Sequence, residues 1–226
     1  MSARAPLEGD RHRLQPSRST TRTVSAVDIA GPAGRIEGLW ADPGAGLPAA
    51  VIAHPHPAHG GSMHSKVVHT VYRVLDAAGH PTLRFNFRGI GKSEGQYSGW
   101  NEEVGDFAAA AAFARERTGR KELWAAGFSF GSWIGLQWAL DDSSVERFIA
   151  LGIPVENHAF DFLSRLPWRL AIVQGERDQY GSPETLERYV EQWKRSGSVT
   201  VKIVKGADHF FTGKLAELKL ALEEIL

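Results

Sequence analysis

The sequence predicts an α/β fold built on an open, mostly parallel sheet, and three observations carry that expectation. From residue 24 onward, short β-rich runs alternate with helical stretches. Several of the runs are continuously apolar, as strands covered on both faces must be. The connections between them are short, which leaves no room for a large inserted domain. At 226 residues with 42% hydrophobic residues, the chain can bury a substantial core, so residues 24–226 read as one domain.

Two leading runs, Val24–Ile29 and Arg35–Trp40, have only a Gly-Pro-Ala-Gly turn between them and read as a β-hairpin. A β-α-β series follows, with strands at Ala49–Ala53, Thr82–Asn86, Leu123–Gly127, Arg147–Leu151, Leu170–Gln174 and Val199–Val204. Lys66–Ala78 places Val67, Val68, Val71, Tyr72 and Leu75 on one helical face and stops before Gly79, with Pro81 beyond. Similar reasoning gives helices near Glu102–Arg117, Phe130–Leu140, Pro183–Arg195 and Gly213–Ile225.

Charge and composition narrow the partners. The 26 basic and 26 acidic residues cancel, so no global field draws the chain to nucleic acid or an anionic membrane, and a small-molecule partner is expected. The chain has no cysteine, which excludes disulfides, thiolate nucleophiles and cysteine metal ligands. No apolar stretch approaches the roughly 20 residues that span a bilayer, and none in Met1–Thr23 serves as a signal-peptide core. The expected location is therefore cytoplasmic. Residues 1–23 carry five arginines among Ser, Thr and Pro and read as a disordered tail; Glu8 and Asp10 count against a transit peptide. No signal for a particular subunit number is present.

In an open parallel sheet, function collects in loops at the carboxyl ends of the strands. There, Leu123–Gly127 runs into Gly127-Phe-Ser-Phe-Gly131 and then into an apolar helical stretch. This is G-x-S-x-G in a strand-turn-helix context, where small residues on either side permit a sharp turn that lifts the Ser129 hydroxyl above the sheet. A serine hydroxyl needs a base, and the base needs an orienting group. Asp178 follows the strand Leu170–Gln174, and His209 follows Val199–Val204, so both occupy loops on the same sheet edge as Ser129. Glu176 competes for the acid role, and Asp208 adjoins the histidine.

An acyl-transfer site also needs N–H donors for the negative oxygen of its tetrahedral intermediate. Phe130, directly after the serine, supplies one. The stretch His54-Pro-His-Pro-Ala-His-Gly-Gly61 follows an earlier strand, and His56 offers a lone main-chain donor between two prolines, so its N–H is expected to be the second. Phe128, His158, Phe160 and Phe162 are expected to line the substrate pocket. The segment from Gly152 to Trp168 is too short for a large cap, so the pocket should be open and suited to short acyl groups.

Two other readings compete. His54, His56 and His59 approach a zinc motif, although Ala58 stands where that motif has aspartate. A zinc-dependent hydrolase is therefore one alternative, and a non-catalytic binding protein on a hydrolase scaffold is another. Asn86-Phe-Arg-Gly-Ile-Gly-Lys-Ser93 imitates a nucleotide-binding loop but lacks its first glycine, and its lysine opens no helix. Arg88 and Gly89 then read as a structural turn, with Arg88 pairing to a carboxylate.

Taken together, His54-Pro-His-Pro57, Gly60-Gly61, Arg84-Phe-Asn-Phe-Arg-Gly89, Gly127-Phe-Ser-Phe-Gly131, Gly175-Glu-Arg-Asp178 and Asp208-His209 resemble the α/β-hydrolase superfamily. More narrowly, they are similar to small lidless bacterial hydrolases related to the dienelactone-hydrolase and serine-aminopeptidase groups. The resemblance spans residues 24–226. It implies an eight-stranded sheet with the second strand antiparallel, helices on both faces, a Ser129-Asp178-His209 triad and no cofactor or metal. Two positions depart from the pattern: Pro55 stands where many members carry glycine, and Asn86 where many carry aspartate. The expected reaction is hydrolysis of small esters through an acyl-serine intermediate, with amides and lactones as alternatives and esterase chemistry favoured over peptidase chemistry.

Overall fold

The computed structural model describes residues 23–164, 167–194 and 198–226. The expected tail lies, but for Thr23, outside the described residues, as does Arg195 at the end of the fourth expected helix. Eight strands form one sheet: β1 (Val24–Gly31), β2 (Gly34–Ala41), β3 (Ala49–Ala53), β4 (Thr82–Phe85), β5 (Leu123–Phe128), β6 (Val145–Leu151), β7 (Arg169–Gly175) and β8 (Val199–Val204). Their spatial order is β1-β2-β4-β3-β5-β6-β7-β8. β2 runs antiparallel to both β1 and β4, and every other neighbouring pair is parallel.

Five α-helices connect the strands: α1 (Lys66–Ala77), α2 (Glu103–Thr118), α3 (Phe130–Leu140), α4 (Pro183–Trp193) and α5 (Leu215–Ile225). The period-2 alternation of each central strand divides the core in two. Ala49, Val51 and Ala53 of β3 join the cluster under α2, α3 and α4, while Ala50 and Ile52 join the cluster under α1 and α5. β3 is buried along its whole length, which explains why its sequence is apolar without alternation. On α1, the residues expected to face inward are all buried, with Val74 and Asp76 added to them. No cap domain stands over the sheet among the described residues; the segment between β6 and β7 contributes only a 3-10 turn at Asp161–Ser164.

Strand β4 ends one residue before the expected boundary, at Phe85; Asn86 keeps one main-chain bond to β2, its N–H donating to the Glu37 carbonyl at 2.9 Å, and its side chain ties loops together. Its side-chain oxygen accepts from the N–H of Met63 at 2.8 Å, and its amide nitrogen donates to Glu37 at 2.9 Å. Arg88, in the following turn, is buried and makes a forked pair with the fully buried Asp106 of α2, with donor distances down to 2.8 Å. It also pairs with Glu102. Hydrogen bonding to Asp106 raises the Arg88 pKa and keeps it charged inside the protein. The expected carboxylate partner is thus present, and the segment serves as a brace between β4 and α2.

His54 is a second brace. Its ring is fully buried, donates from Nδ1 to the Pro55 carbonyl at 2.7 Å and accepts at Nε2 from the N–H of Phe87 at 3.1 Å. This couples the loop after β3 to the loop after β4. Burial lowers its pKa from 6.5 to about 4, so the folded protein holds the ring neutral. Because the folded value lies below the unfolded one, the stabilisation is intact above pH 6.5 and is lost as the pH falls toward 4. Denaturant unfolding should show wild type losing about 2 kcal/mol more stability between pH 7.5 and pH 5 than His54→Gln loses over the same interval. Equal losses would contradict this assignment.

Candidate active site

The turn between β5 and α3 is governed by close backbone contact. Ser129 adopts φ 54° and ψ −115°, a conformation that costs a non-glycine residue on the order of 1–3 kcal/mol. A Cβ on Gly127 would lie 2.3 Å from the Gly131 carbonyl oxygen, and one on Gly131 would lie 2.6 Å from the His54 carbonyl oxygen. Only glycine at both places allows the chain to reverse this tightly against β3. The turn is fixed by the Ser129 N–H donating to Leu151 at 2.9 Å and by the Ser132 hydroxyl donating to the Ser129 carbonyl at 2.5 Å.

The structure brings together the three side chains expected to act in concert. Ser129 Oγ lies 2.9 Å from His209 Nε2, and His209 Nδ1 lies 2.9 and 2.8 Å from the two oxygens of Asp178. Asp178 and His209 are 3% and 2% exposed, so water does not compete for the contact between them. With Nδ1–H donating to the carboxylate, Nε2 carries the lone pair that can accept the serine proton. The two competing acids are occupied elsewhere: Glu176 accepts from the Gly206 N–H, and Asp208 accepts from the Thr212 N–H, each at 2.8 Å.

Gln174, at the end of β7, is a residue the sequence reading missed. Its amide nitrogen donates to Asp178 Oδ2 and to the Gly181 carbonyl, both at 2.8 Å, while its oxygen accepts from the Ile153 N–H at 2.9 Å. The Tyr180 N–H donates to the other Asp178 oxygen at 2.8 Å. Asp178 is therefore aimed by donors from two directions. The available signal was a polar residue closing the otherwise apolar run Leu-Ala-Ile-Val-Gln174.

A cleft of about 220 Å³ opens above Ser129 and is lined by His56, Phe130, His158 and His209 together with Trp100, Pro154, Asn157, Tyr180 and Phe210. Phe130 is the first residue of α3, so its N–H has no intrahelical acceptor. His56 stands between Pro55 and Pro57 at the start of the 3-10 turn Pro57–His59. Gly61 lets that loop fold back, since a Cβ there would lie 2.0 Å from the Pro55 carbonyl oxygen.

Three expected pocket residues are placed elsewhere. Phe160 is fully buried against Tyr189 and Trp193 of α4, where it seals the core beneath the 3-10 turn. Phe162 packs beside it and against Trp133. Phe128 ends β5 on the opposite sheet face and lies against the His209 ring, with centroids 5.2 Å apart. Of the four, only His158 lines the cleft.

Two of the three clustered histidines, His54 and His56, are committed to hydrogen bonds. Both His54 ring nitrogens are engaged, as described above. His56 Nδ1 accepts from the Ala58 N–H at 3.1 Å, which leaves Nε2 to donate to the Tyr97 hydroxyl at 3.0 Å. Neither ring offers a free lone pair for a metal, and no group of three metal-ligating side chains occurs among the described residues. Burial lowers the pKa values of His56 and His158; repulsion from His59 and His158 adds to the shift at His56. No helix among the described residues is long and apolar enough to cross a membrane.

Known proteins with this architecture carry the same arrangement of elements. A protein of unknown function from Agrobacterium tumefaciens is 34% identical, with 89% of this chain and 94% of that one covered and a TM-score of 0.85. An alpha-beta serine hydrolase homologue from Coxiella burnetii is 36% identical over 89% of this chain and 97% of its own, with a TM-score of 0.83. A serine hydrolase without a lid from Xanthomonas campestris is 29% identical, covers 89% and 92% of the two chains and gives a TM-score of 0.80. The profile described as an alpha/beta hydrolase domain matches residues 48–219, which include the β5 turn, the β7 and β8 loops and the cleft between them. On that match the chain belongs to the alpha/beta hydrolase family.

Proposed function

We propose that this protein is a serine hydrolase that cleaves small esters through an acyl-serine intermediate. The observation that supports the reading most strongly is the unbroken hydrogen-bonded series Ser129–His209–Asp178 at the floor of an open cleft. In this mechanism Ser129 Oγ attacks the ester carbonyl carbon while its proton passes to His209 Nε2. The carbonyl oxygen becomes negative and is held by the N–H groups of His56 and Phe130. Collapse of the intermediate expels the alcohol, which takes the proton from His209. Water then attacks the acyl-enzyme with His209 again as base, releasing the acid and restoring Ser129. Asp178 stabilises the imidazolium that forms in each half-reaction. Amides and lactones present the same carbonyl chemistry and belong to the same proposal.

A serine-directed fluorophosphonate should add its mass to Ser129, and Ser129→Ala should lose at least about a thousandfold in kcat on p-nitrophenyl acetate. His209→Ala should lose a similar factor, and the double variant should be little worse than either single one, because the two groups act as a unit. Wild-type turnover by Ser129→Ala would reject the serine mechanism. Activity that Ser129→Ala retains and a chelator abolishes would instead favour a metal.

Gln174 tests the orientation of the acid. Gln174→Leu withdraws one donor from Asp178 and leaves the Ile153 N–H and the Gly181 carbonyl unpaired. Unfolding free energy should fall by about 2–4 kcal/mol. At temperatures where the variant remains folded, kcat should fall at least fivefold with KM within twofold. Unchanged stability and unchanged kcat would show that Gln174 positions nothing.

A further inference from the structure

Trp100 has a φ of 99°, in the left-handed range that a bulky side chain adopts only when its surroundings impose it. What imposes it is Glu103. The Glu103 carboxylate is fully buried and accepts from the Trp100 N–H at 3.2 Å and from both the N–H and the hydroxyl of Ser98 at 2.8 Å. The backbone so held presents the indole at the wall of the Ser129 cleft. There the ring meets four others: His158 at 4.2 Å between centroids, Phe130 at 4.6 Å, His56 at 5.2 Å and Trp133 at 5.3 Å. Three of these contacts are edge-to-face, and the His158 ring is tilted by 44°.

The wall is mostly aromatic. No lysine, arginine, aspartate or glutamate lines the cleft among the described residues. Burial favours the neutral forms of His56 and His158, so the imidazoles act as flat polarisable surfaces. The cleft measures about 220 Å³, whereas an apolar cavity of about 150 Å³ is enough to hold benzene. There is room for one six-membered ring and the ester carbonyl attached to it. Aromatic rings prefer the tilted and edge-on contacts this wall presents, a preference that a linear alkyl chain does not share.

We propose that the cleft is an aryl-acyl site, in which Trp100 is the specificity-determining residue and a substrate with a single aromatic ring next to its ester carbonyl is preferred over a short alkyl ester. The proposal rests on the serine-hydrolase reading above. The aroyl group passes to Ser129 Oγ as the alcohol leaves, and water then converts the acyl-enzyme to the free serine and an aromatic carboxylic acid. The product ionises in a cleft that no lysine or arginine lines among the described residues, which favours its release.

The test compares p-nitrophenyl benzoate with p-nitrophenyl acetate, which share a leaving group, with each kcat/KM divided by the ester's rate of alkaline hydrolysis. Wild type should favour benzoate at least tenfold on that normalised scale. Trp100→Ala should reduce the ratio at least fivefold, and Trp100→Phe should keep at least half of it. Phenylboronic acid should also inhibit wild type at least tenfold more tightly than methylboronic acid, a measurement that needs no variant. A normalised preference for acetate, a ratio unmoved by Trp100→Ala, or equal inhibition by the two boronic acids would overturn the aryl assignment. Fluorophosphonate labelling of Ser129, carried out on each protein, separates the two readings. Labelling with no aryl preference overturns this inference alone, and no labelling with no turnover of either ester overturns both.

Discussion

The structure depends most on the contact between the β5–α3 turn and the end of β3. Gly131 passes so near the carbonyl oxygens of Ala53 and His54 that no side chain fits between them. That approach forces the reversal that gives Ser129 its positive φ and stands its hydroxyl clear of the sheet. It also brings the first N–H of α3 beside the loop that carries His56. One steric constraint thereby gathers the nucleophile and both proposed oxyanion donors. The parallel register of β5, β6, β7 and β8 then delivers the loops bearing Asp178 and His209 to the same edge.

The loops around this edge are held by buried polar contacts rather than by apolar packing alone. His54 links the β3 and β4 loops, Asn86 links Met63 to Glu37, Arg88 joins the β4 loop to α2, and Gln174 joins Asp178 to the β6 loop. Each is a polar group whose removal from water is offset only while its partner stays in place. Such contacts are directional, so they fix loops in a way that general hydrophobic burial does not. Among the described residues no second layer presses the loops into position, so the site relies on these contacts. The strained backbone at Trp100 follows the same rule, since the buried Glu103 carboxylate holds it.

Much of this was legible in the residues. The eight strands could be placed because apolar runs bounded by turn residues report burial directly, and strand limits shifted by only a residue or two. Ser129, Asp178 and His209 could be placed together because each follows a strand whose direction the alternation of strands and helices sets. Their mutual distances came only with the fold. The aromatic residues of the β6–β7 segment were not legible. Phe160 lies just before the 3-10 turn Asp161–Ser164 and Phe162 within it, a stretch too short for a period to tell which side faces the core, and both pack against it. Trp100 lies between Gly99 and Asn101, with no pattern to aim its ring, and its role emerges only from the positive φ and the rings around it. Gln174 carried a signal, a polar residue within a buried run, but its partners lie in two separate loops, one after β6 and one after β7.

The central claim is that the carbonyl oxygen of a substrate sits between the N–H groups of His56 and Phe130 while Ser129 Oγ holds the carbonyl carbon. A crystal structure of the fluorophosphonate adduct tests this geometry directly, because the tetrahedral phosphorus mimics the intermediate. The account predicts phosphorus bonded to Ser129 Oγ and one phosphonyl oxygen about 2.7–3.1 Å from both nitrogens. A phosphonyl oxygen turned away from both N–H groups, or phosphorus bonded to any other residue, would contradict it.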